Sequence, residues 1–185
     1  MQPSKYERFD QKPFESRYLY EETIIDYPVE KVWPHALNIK GWMPEHRLET
    51  LEGKPGKVGH FERVYPAEGV GAEVPLAPYH LYGVAEIIPF KLIVLEVFSE
   101  KGGSYSSARE MIVFDAILLT DLGKKTKFAV LAIDTWMGSK EEKGKHTEEL
   151  CFDEKVMRAR LERYFENLKQ LVKNAEASTS KVARN

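Results

Sequence analysis

The residues best placed for chemistry are two acids, one arginine and one tryptophan that strand alternation gathers on a single face. The Gly102-Gly103 pair has the composition of a two-residue hairpin turn, and such a turn fixes the register of the segments on either side. With that turn, Glu96 lies opposite Arg109, Val94 opposite Met111, Leu92 opposite Val113 and Phe98 opposite Ser107. Leu92, Val94 and Phe98 make an apolar face, which Glu96 and Arg109 are then expected to share. A charge stranded there would cost about 3–5 kcal/mol, so the two are expected as a pair. In the next hairpin, Lys125 and Lys127 are expected to face water, which turns Phe128, Val130, Ala132, Asp134 and Trp136 inward. A turn at Leu122-Gly123 sets Trp136 opposite Arg109 and Asp134 beside Met111. The expected cluster of Glu96, Arg109, Asp134 and Trp136 could hold a ligand carbonyl or carboxylate. The alternative is a cross-strand salt bridge on a solvated strand face, and the pattern leaves both open.

Trp42, Phe61, Tyr65 and Tyr82 join this cluster as candidate pocket linings, since such rings offer apolar area with a polar edge. The competing role for each is core packing, and Trp33 is assigned to the core outright. His35, His46, His60, His80 and His146 show no metal-site spacing, so neither metal nor cofactor is expected. Ser104, Ser106 and Ser107 lack a nucleophile elbow, Cys151 lacks the context of a reactive thiol, and the glycines form no phosphate loop. The stretch from Pro66 to Pro78 is long for a hairpin link, which suits either a lid or a plain surface excursion.

Stepping outward, these residues need a sheet and a helix to position them. Arg17 to Asp26 is rich in aromatic and β-branched residues and is predicted as the first strand. Pro28 then opens a short helix carrying Val29, Val32, Trp33, Ala36 and Leu37, which contains Pro34 and stops before Gly41. Extended segments are predicted at Leu48 to Glu52, Val58 to Tyr65, Tyr79 to Ile88, Lys91 to Glu100, Tyr105 to Thr120 and Lys125 to Met137, a meander of antiparallel neighbours. From Phe152 the period changes. Val156, Met157, Leu161, Tyr164, Phe165, Leu168, Leu171 and Val172 form the stripe of one long helix.

The 185 residues, 43% of them hydrophobic and 30% charged, suit one globular core. A net charge of −2 offers no broad attraction to nucleic acid or to an anionic membrane, although local basic patches stay possible. A single cysteine precludes an intrachain disulfide and suits a reducing, cytoplasmic setting. The polar start lacks a signal-peptide core, and Ile87–Phe98 and Met111–Leu119 are broken by Lys91, Glu96 and Asp115, so no integral membrane association is expected. The domain is expected over 17–174, with an N-terminal extension over 1–16 and a flexible tail over 175–185.

The run Ile25-Asp26-Tyr27-Pro28-Val29-Glu30-Lys31-Val32-Trp33, the run Ile87-Ile88-Pro89-Phe90-Lys91-Leu92-Ile93-Val94, and the final Leu161–Leu171 helix resemble the START-like, helix-grip superfamily of birch-pollen-allergen-like proteins, polyketide cyclases and lipid transfer domains. The resemblance implies an α+β helix-grip fold: a curved antiparallel sheet of about seven strands around a long C-terminal helix, with one or two short helices after the first strand. It implies a cavity for a small hydrophobic partner such as a lipid, an isoprenoid or an aromatic compound. Other members imply two rivals. One is a cyclase or dehydratase with Arg109 holding an enolate oxygen and Glu96 or Asp134 as base. The other is a co-chaperone resembling the activator of the Hsp90 ATPase.

Overall fold

The computed structural model describes residues 15–44, 47–65, 80–99, 111–136 and 154–182. Strand β1 (Glu15–Ile25) leads into helices α1 (Val29–Leu37) and α2 (Ile39–Trp42). Strands β2 (Arg47–Glu52), β3 (Phe61–Tyr65), β4 (His80–Ile88), β5 (Leu92–Ser99), β6 (Met111–Asp121) and β7 (Thr126–Trp136) follow, then helix α3 (Glu154–Val182). The seven strands form one antiparallel sheet in the order β1-β7-β6-β5-β4-β3-β2. The meander expected from the sequence is therefore the observed one, with β1 returning to close on β7.

Pro28 caps α1, where its missing N–H costs nothing, and the Val29, Val32, Trp33 and Ala36 side chains are buried as their spacing requires. Beyond Leu37 the chain turns at Asn38 into one further helical turn that buries Trp42. The sheet curves across α3, and their shared core holds Leu19, Ile25, Ile93, Leu95, Ile117, Leu119, Phe128, Val130 and Ala132 against Leu161, Tyr164, Phe165, Leu168 and Val172. Rings lock this packing edge to face: Phe128 meets Trp42 at 5.9 Å and Phe165 at 5.7 Å, and Trp42 also meets Tyr164 at 5.9 Å. Asn167 donates to the Trp42 carbonyl at 3.2 Å, fastening α3 to the end of α2.

Three expectations need correction. Helix α3 does not stop at Asn174 but continues to Val182, with Glu176 paired to Lys31 and the Ser178 and Thr179 hydroxyls bonded to carbonyls one turn back. In the β5–β6 ladder Glu96 pairs with Phe114, Val94 with Ala116 and Leu92 with Leu118, so Arg109 is not opposite Glu96. That ladder is centred on position 105 rather than on the Gly102-Gly103 bond, and the connection itself lies outside the described residues. In the β6–β7 ladder Trp136 opposes Met111 and Asp134 opposes Val113, two positions from the expected partners. The cause is the turn: Leu122 bonds the Lys125 carbonyl, so the loop holds four residues, with Gly123 at φ 79° and its N–H on the Asp121 carboxylate. Among the described residues no helix is long and apolar enough to cross a membrane.

Candidate ligand-binding site

Register and burial together decide which residues face α3. Leu95 is 3% exposed and lies in one cross-sheet row with Leu19, Ala132, Asp115 and Val84. The neighbouring row runs Arg17, Asp134, Val113, Val97, Tyr82, Glu62 and Thr50. Around Leu19, Phe128, Val130 and Ala132 the inner surface is apolar. Toward β3 and β4 it becomes polar through Glu62 and Tyr82, with Asp115 breaking the apolar row at the sheet centre.

The pair at the head of β3 is an enclosed polar feature of the inner face. His60 is 3% exposed, its Nδ1 lies 3.1 Å from the Glu52 carbonyl, and its Nε2 lies 2.8 Å from Glu62 Oε1. The Nε2 contact is close but not aligned with the ring N–H, so Nε2 makes no well-directed hydrogen bond.

Helix α3 adds two arginines, one on each flank of its buried stripe. Arg158 turns to β1 and pairs with Glu21, while its Nη2 also holds Glu154 at 2.7 Å. Arg160 lies on the side away from β1, between Met157 and Tyr164. Among the described residues its Nη1 reaches the weak acceptor Met157 Sδ at 3.8 Å, and its buried Nε has no acceptor. Arginine is a fork of donors without acceptors, so a group left this way is suited to an oxygen brought by a ligand.

The sequence-derived candidates separate by face. Tyr82 is half-buried against the core on the inner side. Trp42 is 3% exposed, with its indole N–H on the Ala36 carbonyl at 3.3 Å, and it forms a wall of the core. Asp134 and Trp136 pair with Val113 and Met111 in the β6–β7 ladder. Phe61 and Glu96 lie on the opposite, outer face, in a row with Gly83 between them. The Phe61 ring covers Gly83 so closely that a Cβ there would stand 2.8 Å from its Cζ. The expectation that Leu92, Val94 and Glu96 share the inward face is thus reversed, because Ile93 and Leu95 take it. Tyr65 is also on the outer face: its hydroxyl donates to Glu49 at 2.8 Å, and the Arg47 guanidinium sits 3.8 Å over its ring. That hydrogen bond and the one from Arg63 hold the Glu49 carboxyl below its ordinary range. Arg109, Gly102-Gly103 and the Pro66–Pro78 stretch fall outside the described residues. His60, Glu62, Asp115 and Arg160 are absent from the sequence-derived set. The available signals were the isolated Asp115 in an apolar strand and an arginine one turn before Tyr164 on the helix stripe. Among the described residues no cluster of histidine, cysteine or acids could hold a metal ion.

This geometry can be set beside solved structures. Norcoclaurine synthase from Thalictrum flavum, in truncated form, superposes with a TM-score of 0.62 at 14% identity, over 88% of this chain and 97% of that one. The fold is the helix-grip fold. Its other holders include the allergen Ara h 8.0201, with a TM-score of 0.58 at 13% identity over 86% and 99% of the two chains. The Zhui aromatase/cyclase from a Streptomyces species matches with a TM-score of 0.58 at 12% identity over 86% and 94%. The same norcoclaurine synthase has been solved in complex with dopamine and hydroxybenzaldehyde. No protein-family model matches the chain. No curated protein matches it in sequence.

Proposed function

We propose that this helix-grip protein binds a small hydrophobic molecule between the inner face of its sheet and the first turns of α3. The observation that carries the reading is how α3 is fastened. Its backbone comes close to α1, α2 and β1, with no comparable approach to β2 through β7 among the described residues. Bulky side chains bridge that distance beside Phe128 and Trp42, where Tyr164, Phe165 and Leu168 reach in. Before Leu161 the half-buried Met157 and Arg160 lie on the helix, set against a sheet surface that carries Asp115, Tyr82 and Glu62. Partly accessible polar groups around an apolar lining are what a site for a small amphiphile requires. Tyr82, Asp134 and Trp136 are the lining positions we retain from the sequence, and Arg160 is the polar anchor we add. The structural likeness to a synthase solved with two aromatic molecules agrees with such a site.

The test is titration with the neutral apolar dye N-phenyl-1-naphthylamine. Saturable one-to-one binding with enhanced fluorescence, weakened by Tyr82→Ala and untouched by Tyr65→Ala, is the expected result. Absence of saturable binding, or equal sensitivity to both substitutions, would overturn the reading.

A further inference from the structure

The end of the sheet that carries α1 also carries three loops with the strand ends they join: 53–60 between β2 and β3, 89–91 between β4 and β5, and 122–125 between β6 and β7. Antiparallel pairing forces them to the same end. Backbone hydrogen bonds tie neighbours there, from Gly59 to the Val84 carbonyl at 2.9 Å and from Leu119 to the Lys91 carbonyl at 2.8 Å. Turn tips are ordinarily polar, because a large apolar side chain there gains nothing from the core. Each of these instead exposes apolar bulk: Val58 is 57% accessible, Ile88 45%, Phe90 43% and Leu122 52%.

Phe90 is the telling residue. It has φ 63°, the left-handed region that suits glycine or asparagine, and it is the single non-glycine with positive φ among the described residues. A backbone cost is thus borne to hold a phenyl ring at a tip, propped at 5.6 Å against Trp33 of α1 while much of it still faces water.

The charges around these tips are one-sided. Positions 52–59, 88–91 and 121–125 contain Lys54, Lys57, Lys91, Lys124 and Lys125, all exposed, against two acids, Glu52 and Asp121. Asp121 is occupied by the Gly123 N–H, and Lys125 pairs with Asp26 at 2.7 Å. The other four lysines have no acidic partner among the described residues. Each tip therefore sets a lysine beside an apolar side chain: Lys57 beside Val58, Lys91 beside Phe90, and Lys124 near Leu122.

We infer that this end of the sheet docks on an anionic lipid surface, with Val58, Ile88, Phe90 and Leu122 entering the headgroup boundary and the lysines meeting lipid phosphates and carboxylates. Apolar burial and charge attraction act together at such an interface, and neither alone gives firm binding. The net charge of the whole chain, −2, does not oppose it, because only charges within about a Debye length of the surface are felt, roughly 8 Å at physiological salt. The inference stands apart from the proposed ligand site, since none of these side chains belongs to it.

Co-sedimentation with vesicles decides it. The full chain is expected to pellet with vesicles of equal parts phosphatidylcholine and phosphatidylserine, to stay in solution with phosphatidylcholine alone, and to be released by high salt. Phe90→Asn, which suits the left-handed backbone, combined with Leu122→Ser should lower partitioning about tenfold or more without lowering the melting temperature. Lys91→Glu with Lys124→Glu should abolish the dependence on phosphatidylserine. Failure to pellet with either vesicle, equal binding to both, or full retention of binding by the Phe90 and Leu122 variant would each overturn the inference. Loss of binding on Tyr18→Ser with Tyr20→Ser, on the outer face of β1, would do the same.

Discussion

The two halves of the inner sheet surface are built for different ends. Across β1, β7 and β6 the inward positions include the buried Leu19, Ile25, Phe128, Val130, Ala132, Ile117 and Leu119, each 6% exposed or less, on which the later turns of α3 press, with Asp115 the polar interruption on β6. Across β3 and β4 the corresponding positions include His60, Glu62 and Tyr82, and among the described residues the backbone of α3 keeps its closest approaches for α1, α2 and β1 instead. One half fastens the helix, while the other carries the polar groups of the inner face. A single helix can thus act as both keel and lid, because its stripe is apolar from Leu161 to Val172 and mixed before that.

That contrast breaks first where packing is densest. Phe128 is fully buried between Trp42 and Phe165, so Phe128→Ala should cost about 3–5 kcal/mol in denaturant unfolding. A cost no larger than that of a surface substitution would mean that α3 is fastened elsewhere. His60→Ala removes a buried ring from the Glu62 carboxylate and the Glu52 carbonyl, and should cost about 1–3 kcal/mol by the same measurement. A neutral result would show that water already serves both groups.

Arg160 should behave in the opposite sense. Arg160→Gln is expected to change stability by no more than about 0.5 kcal/mol, since no acceptor among the described residues is lost. It should nevertheless lower affinity for cis-parinaric acid about tenfold while leaving the methyl ester unaffected. Equal loss for acid and ester would make Arg160 a wall residue. The smallest effect belongs to the outer face. Glu49, lowered by Tyr65 and then Arg63, contributes stability that is complete above the unfolded carboxylate range and fades as pH falls through its lowered value. Glu49→Gln should therefore slightly flatten the acid limb of the stability profile, with no change in dye binding.

How far the sequence reveals this arrangement depends on what each residue can signal. Pro28 and the spacing of Val29, Val32, Trp33 and Ala36 declare α1, and the alternation after Lys125 and Lys127 declares the inward face of β7, because both follow from short periods. The register of β5 on β6 does not, since it depends on a connection whose length the Gly102-Gly103 pair misstates. A shift of one residue in parity moves Glu96 from the inner to the outer face. In β5 every residue from Leu92 to Leu95 is apolar, so alternation gives no vote and the curvature over α3 decides. Arg160 was hidden for a related reason: charged residues flanking a helix stripe ordinarily reach solvent, and only the spacing between helix and sheet marks this one out.

The central claim is best tested by following backbone amide shifts of labelled protein during titration with N-phenyl-1-naphthylamine. The account predicts that the largest changes fall at Glu62, Tyr82, Asp115 and from Met157 to Tyr164, with Tyr18, Tyr20, Glu49 and Tyr65 unmoved. Changes confined to the outer-face residues, with the inner row and the first turns of α3 silent, would contradict it.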